Sequence, residues 1–123
     1  MKKAKILGVG AALVVLLGFL VGCASAPPSF TPGTYRAYAM GGHGPVVVEV
    51  VFSESAIVSV TVVEHVENLD YAAPAFDTMP GRIVAAQSLA VDTVAGATAT
   101  SEAIIQAVSD AVRQAGVDPA ALR

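Results

Sequence analysis

From Thr34 onward the apolar positions fall first into short runs of strand character and then into stripes of helical spacing. Thr34–Met40 carries Tyr35 and Tyr38, both favoured in strands, and predicts a first strand. Gly41-Gly42-His43-Gly44-Pro45 has the composition of a turn. Val46–Phe52 and Ile57–Glu64 are rich in β-branched residues and predict two further strands joined at Ser53–Ala56. Both are apolar at successive positions for most of their length, which predicts that at least one is covered on both sides. Glu64–Tyr71 is polar and irregular. Ala72–Met79 and Gly81–Leu89 are short helical candidates broken at Pro80, and Val91–Val94 is a brief strand or extended stretch. The clearest helix is Thr100–Ala115, where Ile104, Ala107, Val108, Ala111, Val112 and Ala115 keep one apolar stripe. Hydroxyls at its start, Glu102 in its first turn, Arg113 in its last and Gly116 beyond its end are the matching terminal signals. Strands first and helices afterwards imply an α+β fold, a small antiparallel sheet packed with helices.

Ahead of this domain the pattern changes. Lys2, Lys3 and Lys5 precede the apolar run Ile6–Val21, and Gly22 leads into Cys23. A basic start, an apolar middle and a small residue before a break define a secretory signal over residues 1–22. The run falls short of the ~20 residues of a spanning helix and is interrupted by Gly8, Gly10 and Gly18. Leu20-Val21-Gly22-Cys23 resembles a bacterial lipobox, in which the cysteine is acylated and becomes the new N-terminus. Acyl chains on Cys23 would then replace the cleaved segment as membrane anchor, with binding that grows with each buried methylene. The competing reading is an uncleaved N-terminal helix with a buried cysteine. Residues 23–32 are small, polar and proline-rich, a tether that would hold a domain of residues 33–123 off the membrane surface.

Composition sharpens this picture. The whole chain is 54% apolar with a mean hydropathy of +0.67, but part of that apolar weight leaves with the signal. The 123 residues less the 22 of the signal leave 101, enough for one modest core. All three lysines leave as well, so ten acids face Arg36, Arg82, Arg113 and Arg123, and the formal charge moves from −3 to −6. Such a surface does not bind nucleic acid, nor dock on anionic lipid by charge, so any membrane attachment must come from the acyl chains. One thiol permits no internal disulfide.

Few residues carry recognisable chemistry. His43 and His65 have no His or Cys at metal-ligand spacing, so no metal site is predicted. His43 is most simply a polar turn residue, and His65, beside Glu64 and Glu67, a solvated strand end. No nucleophile elbow, phosphate-binding Gly-Lys loop or nucleophile–base–orienter set is present to support a hydrolase. One segment stands apart: Asp92-Thr93-Val94-Ala95-Gly96-Ala97-Thr98-Ala99-Thr100-Ser101, leading into the strong helix. Unsatisfied amides and the macrodipole at a helix N-terminus favour a phosphate, and Gly96 would let one approach the backbone. Alternatively, Thr98, Thr100 or Ser101 is simply the N-cap, worth about 1 kcal/mol. Physics alone leaves both readings open.

This segment resembles the flavinylation motif of the FMN-binding domain family, in which Asp, two variable residues, Ser or Thr, Gly, Ala and Thr occur in order. The family includes the flavinylated subunits of the sodium-pumping NADH:quinone reductase and the Rnf complex. Asp92, Gly96, Ala97 and Thr98 match, while Ala95 stands where the family usually has a hydroxyl residue. Further resemblance runs through Pro32-Gly33-Thr34-Tyr35, Gly44-Pro45-Val46, Val62-Val63-Glu64-His65, Met79-Pro80, Ile83-Val84 and Gln87-Ser88, covering roughly Thr31–Gly116. After His65 the chain reads Glu67-Asn68-Leu69-Asp70, where family members often have Glu-Thr and a Gly-containing loop.

The resemblance implies FMN bound covalently through a phosphoester to Thr98, with Gly96, Ala97, Ala95, Ala99 and Thr100 around it. The long C-terminal helix would follow directly. A Mg-dependent FAD:protein FMN transferase would install the group, with Asp92 serving recognition or metal positioning during transfer. Together with the lipobox it implies a redox carrier rather than a stand-alone catalyst, held by Cys23 at the cell membrane and facing outside the cytoplasm. Such a carrier would relay electrons from a membrane donor to an extracytoplasmic acceptor. The alternatives are a cofactor-free lipoprotein binding module and a noncovalent FMN binder.

Overall fold

A computed structural model describes residues 27–123. The signal segment and Cys23 lie outside them. Strands β1 (Gly33–Met40), β2 (Pro45–Phe52) and β3 (Ile57–Glu64) form one antiparallel sheet in the order β1-β2-β3. Two helices follow, α1 (Leu69–Ala86) and α2 (Thr98–Gln114), and a 3-10 turn, Pro119–Leu122, ends the chain. Tyr35 pairs with Val50 and Ala37 with Val48, while Val50 pairs with Val60 on the other side. The fold is α+β, as the order of elements implied.

The central strand shows how one face is buried. Val46, Val48, Val50 and Phe52 point inward and are buried, while Val47, Glu49 and Val51 between them are only half-buried. Helix α2 lies across β1 and β2 with Ile104, Ala107, Val108, Ala111 and Val112 turned to the sheet, and α1 packs on β3 and α2. The expectation of a strand covered on both sides is therefore corrected. On the outer face Arg36 bridges Glu49 (3.1 Å) and Glu64 (2.6 Å), and Tyr38, Val58 and Val63 are exposed. β-Branched residues there satisfy the pleat without a second layer.

The two short helices expected on either side of Pro80 are one helix. Its interior holds Pro74 and Pro80, each of which removes a backbone hydrogen bond at a cost of about 3 kcal/mol. Ala72, Ala75, Met79 and Ile83 repay this by lining one buried stripe, since a fully buried Met or Ile contributes about 1.5–3 kcal/mol. Asn68 caps the start by accepting the Asp70 amide at 2.9 Å. At the other end Gln87 turns left-handed (φ 51°), and its side-chain amide pairs with both the N–H and the C=O of Ile57 at 2.8 Å. Val91–Val94 forms no strand and runs as an irregular connection.

The domain reaches ahead of β1. Phe30 is buried and stacks on Phe52 with ring centroids 4.5 Å apart, and the Thr31 amide donates to the Ala115 carbonyl at 2.8 Å. The far end is tied back too: the Leu122 carbonyl accepts from the Leu89 amide (2.8 Å) and the Ser88 hydroxyl (2.7 Å). Among the described residues no helix is long and apolar enough to cross a membrane.

Candidate functional site

Helix α2 starts two residues earlier than its apolar stripe predicts, and this changes the fate of every hydroxyl near its end. Ala97 is the N-cap residue and offers no side-chain acceptor, so the amides of the first turn are left without an intrahelical partner. Thr98 is the first helical residue and is exposed. Thr100 is buried and donates its hydroxyl to Glu67 Oε1 at 2.9 Å. Ser101 is fully buried, donating to the Ala97 carbonyl (2.7 Å) and accepting the Val94 amide (3.1 Å), which fastens the Val94–Ala97 turn to the helix. None of the three caps the helix, so the capping alternative fails. Gly96 within that turn has φ +81°, which favours glycine, and its Cα faces open space.

Gly96, Ala97, Thr98, Ala99 and Thr100 form one wall of a cleft of about 170 Å3. Gly42 and His43 from the β1–β2 turn form a second wall, and Glu67, Asn68, Tyr71 and Ala72 a third. Pockets that engulf a drug-sized ligand run to ~300–1,000 Å3, so this cleft can hold one end of such a molecule and not the whole. Tyr71 leaves an exposed aromatic side chain in its lining. Of the other residues predicted for the site, Ala95 is exposed and does not line the cleft. The Asp92 carboxylate is likewise outside; only its carbonyl is engaged, accepting from Arg82 at 2.8 Å. No group of His, Cys, Asp and Glu suited to a metal ion occurs among the described residues.

Glu67 is the residue that pattern reading missed. It sits between β3 and α1, with its side chain 2% exposed. Its Oε1 accepts the Gly42 amide at 2.8 Å together with the Thr100 hydroxyl, and Oε2 accepts the His43 amide at 2.7 Å. The His43 Nδ1 lies 3.5 Å from Oε2. Burial pushes this carboxyl up, but the Gly42 amide, the Thr100 hydroxyl, the His43 amide and the His43 imidazole together outweigh it and hold the group below the ordinary carboxylate value. Of the two histidines, only His65 departs from its expected surroundings. His43 is exposed yet lines the cleft, whereas His65 is half-buried, packs on Phe76 at 4.3 Å and accepts the Glu67 amide at 3.2 Å. A Glu in a loop carries no periodic signal, and its partners Gly42, His43 and Thr100 are distant in sequence.

The family model described as FMN-binding domain matches residues 41–113, which span both the β1–β2 turn and the Thr98 segment. The chain belongs to the FMN-binding domain family. Among its relatives is the NADH:acrylate oxidoreductase of Vibrio harveyi, 40% identical over 97 residues. Another is an uncharacterized protein of Treponema pallidum (strain Nichols), 42% identical over 88 residues. The matches take in 79% and 72% of this chain but only 10% and 24% of those proteins. This FMN-binding domain is thus a small part of each relative's length.

The residues present fit FMN. A phosphate is suited to the uncapped first turn of α2, whose donors face an open glycine turn, and the exposed Thr98 hydroxyl stands among them. The cleft beside it is also lined by Tyr71 and His43, flat side chains suited to a ring.

Proposed function

We propose that this chain is a membrane-anchored, extracytoplasmic electron carrier whose FMN is attached through a phosphoester to Thr98. The observation that carries the reading is the division of labour among the hydroxyls. Ser101 and Thr100 are committed to internal hydrogen bonds, while Thr98 is exposed on the uncapped first turn beside Gly96. The cleft's size supports covalent attachment, because about 170 Å3 buries too little of a flavin to retain it by contact alone. FMN, once bound, supplies the capacity to take up and release electrons; the protein supplies attachment, orientation and electrostatics.

During attachment the Thr98 hydroxyl attacks the FMN phosphorus of FAD. The Thr98 Oγ–phosphorus bond forms, the pyrophosphate bond breaks, AMP leaves and the hydroxyl proton passes to a base of the Mg-dependent FAD:protein FMN transferase. Asp92, exposed and outside the cleft, is available to that enzyme. Acylation of Cys23 after removal of residues 1–22 holds the domain at the outer side of the cytoplasmic membrane, and the tether is the short stretch between Cys23 and Phe30, which is already part of the core. There it passes electrons from a membrane donor to an extracytoplasmic acceptor. The name of the Vibrio harveyi relative, an oxidoreductase, supports electron transfer as the role.

The test is co-expression of the full chain with a flavin transferase, followed by a denaturing gel viewed under ultraviolet and intact-mass measurement of membrane-extracted protein. Wild type is expected to give a fluorescent band and a mass carrying both acyl chains and FMN. Thr98→Val is expected to give a dark band while unfolding at the same temperature as unmodified wild type, because the Thr98 side chain is exposed. Yellow protein that loses its colour on denaturation would mean noncovalent FMN, and colourless protein a binding module.

A further inference from the structure

The cleft beside Thr98 holds one ionised group that attachment chemistry does not use. Glu67 is buried in its wall, yet both carboxylate oxygens are saturated by donors, two backbone amides and the Thr100 hydroxyl. Donors of this kind stabilise the anion, so the group stays charged although it is enclosed. A charge enclosed by protein is screened less than one in water and acts more strongly on a neighbouring ligand.

No permanently charged cation lines the cleft to cancel it. The β1–β2 turn contributes His43, whose Nδ1 is 3.5 Å from Oε2 and which is a cation only when protonated. The end of β3 contributes His65, which accepts the Glu67 amide through Nδ1. Helix α1 brings the Asn68 amide and the Tyr71 phenol to the lining, with Asp70 exposed outside it. Helix α2 brings the neutral Thr98, Ala99 and Thr100 and no charged side chain, since Glu102 lines a separate groove with Met40 and Gln106. No arginine lines the cleft.

We infer that Glu67 sets the reduction potential of this domain low, as a fixed negative charge in the wall of the cleft that a flavin held at Thr98 adjoins. Electrons added beside a buried anion raise the local negative charge and are opposed. The inference rests on FMN being carried at Thr98. It assigns to Glu67 a function distinct from binding.

The experiment is a redox titration of the flavinylated full chain against a reference dye, for wild type, Glu67→Gln, His43→Lys and, as a remote control, Glu49→Gln on the outer sheet face. Glu67→Gln is expected to raise the ratio of reduced to oxidised flavin at a fixed potential about tenfold, a shift of about 30 mV for a two-electron couple. Glu49→Gln is expected to leave it in place. His43→Lys, which sets a permanent cation in place of the imidazole 3.5 Å from Oε2, is expected to raise the midpoint in the same direction. The His43 side chain is exposed, so this comparison decides the matter if Glu67→Gln does not fold. A midpoint equal to wild type in either variant overturns the inference. A wild-type chain that leaves the transferase without FMN instead overturns the attachment reading, and this one with it.

Discussion

Glycine at position 41 is dictated by a carboxylate far along the chain. A Cβ there would run into Glu67 Oε1, and its other neighbour, Val46 Cγ2, lies at 3.1 Å in the core. Neither can give way, because Glu67 is held by its donors and Val46 is fully buried. Gly41→Ala is therefore expected to cost about 1–3 kcal/mol, as overpacking does, measured by urea unfolding of the unmodified domain. The same carboxylate makes stability depend on pH. Its folded pKa lies below its unfolded one, so the stabilisation is complete above the ordinary carboxylate value and is lost as pH falls through the folded value. The melting temperature should drop from about pH 4.3 downward, and Glu67→Gln should flatten that part of the profile. None of this was legible in the Gly-Gly-His-Gly-Pro string, which shows a turn and not the reason for its glycines. Thr98 could be singled out as a candidate from the sequence, because a short ordered motif at the start of a strong helix needs no distant partner to be noticed.

At the scale of elements, the three strands and the last helix followed from local patterns, and the region between them did not. Residue-by-residue rules break a helix at Pro80, yet Ala72, Ala75, Met79 and Ile83 keep it whole by filling the space between β3 and α2. The end of that helix depends on Gln87, whose amide imitates a neighbouring strand by bonding both backbone groups of Ile57. Gln87→Ala leaves those groups without their partner and is expected to cost about 1–3 kcal/mol, with faster amide exchange at Ile57 as the local signature. The outer sheet face contributes much less. Arg36 and its partners Glu49 and Glu64 are all substantially exposed, so Arg36→Ala is expected to change unfolding free energy by no more than about 1 kcal/mol.

For the molecule as a whole, the domain starts earlier than its first strand. Phe30 closes the core over Phe52, and Thr31 is bonded to the end of α2. Phe30→Ala is expected to destabilise by about 3–5 kcal/mol in denaturant titration, a cost a solvated linker residue would not show. The fold brings the exposed Thr98 hydroxyl of the α2 first turn and the buried Glu67 carboxylate into the lining of one cleft. Family, fold class and candidate acceptor were determined by the sequence alone, because motif order, hydrophobic period and helix signals are local properties of the chain. Only the tertiary structure decided which hydroxyl is exposed, which glycine is required and which carboxylate charges the cleft. Each of those depends on residues distant in sequence that meet only when the sheet and both helices pack, and no local period records such a meeting.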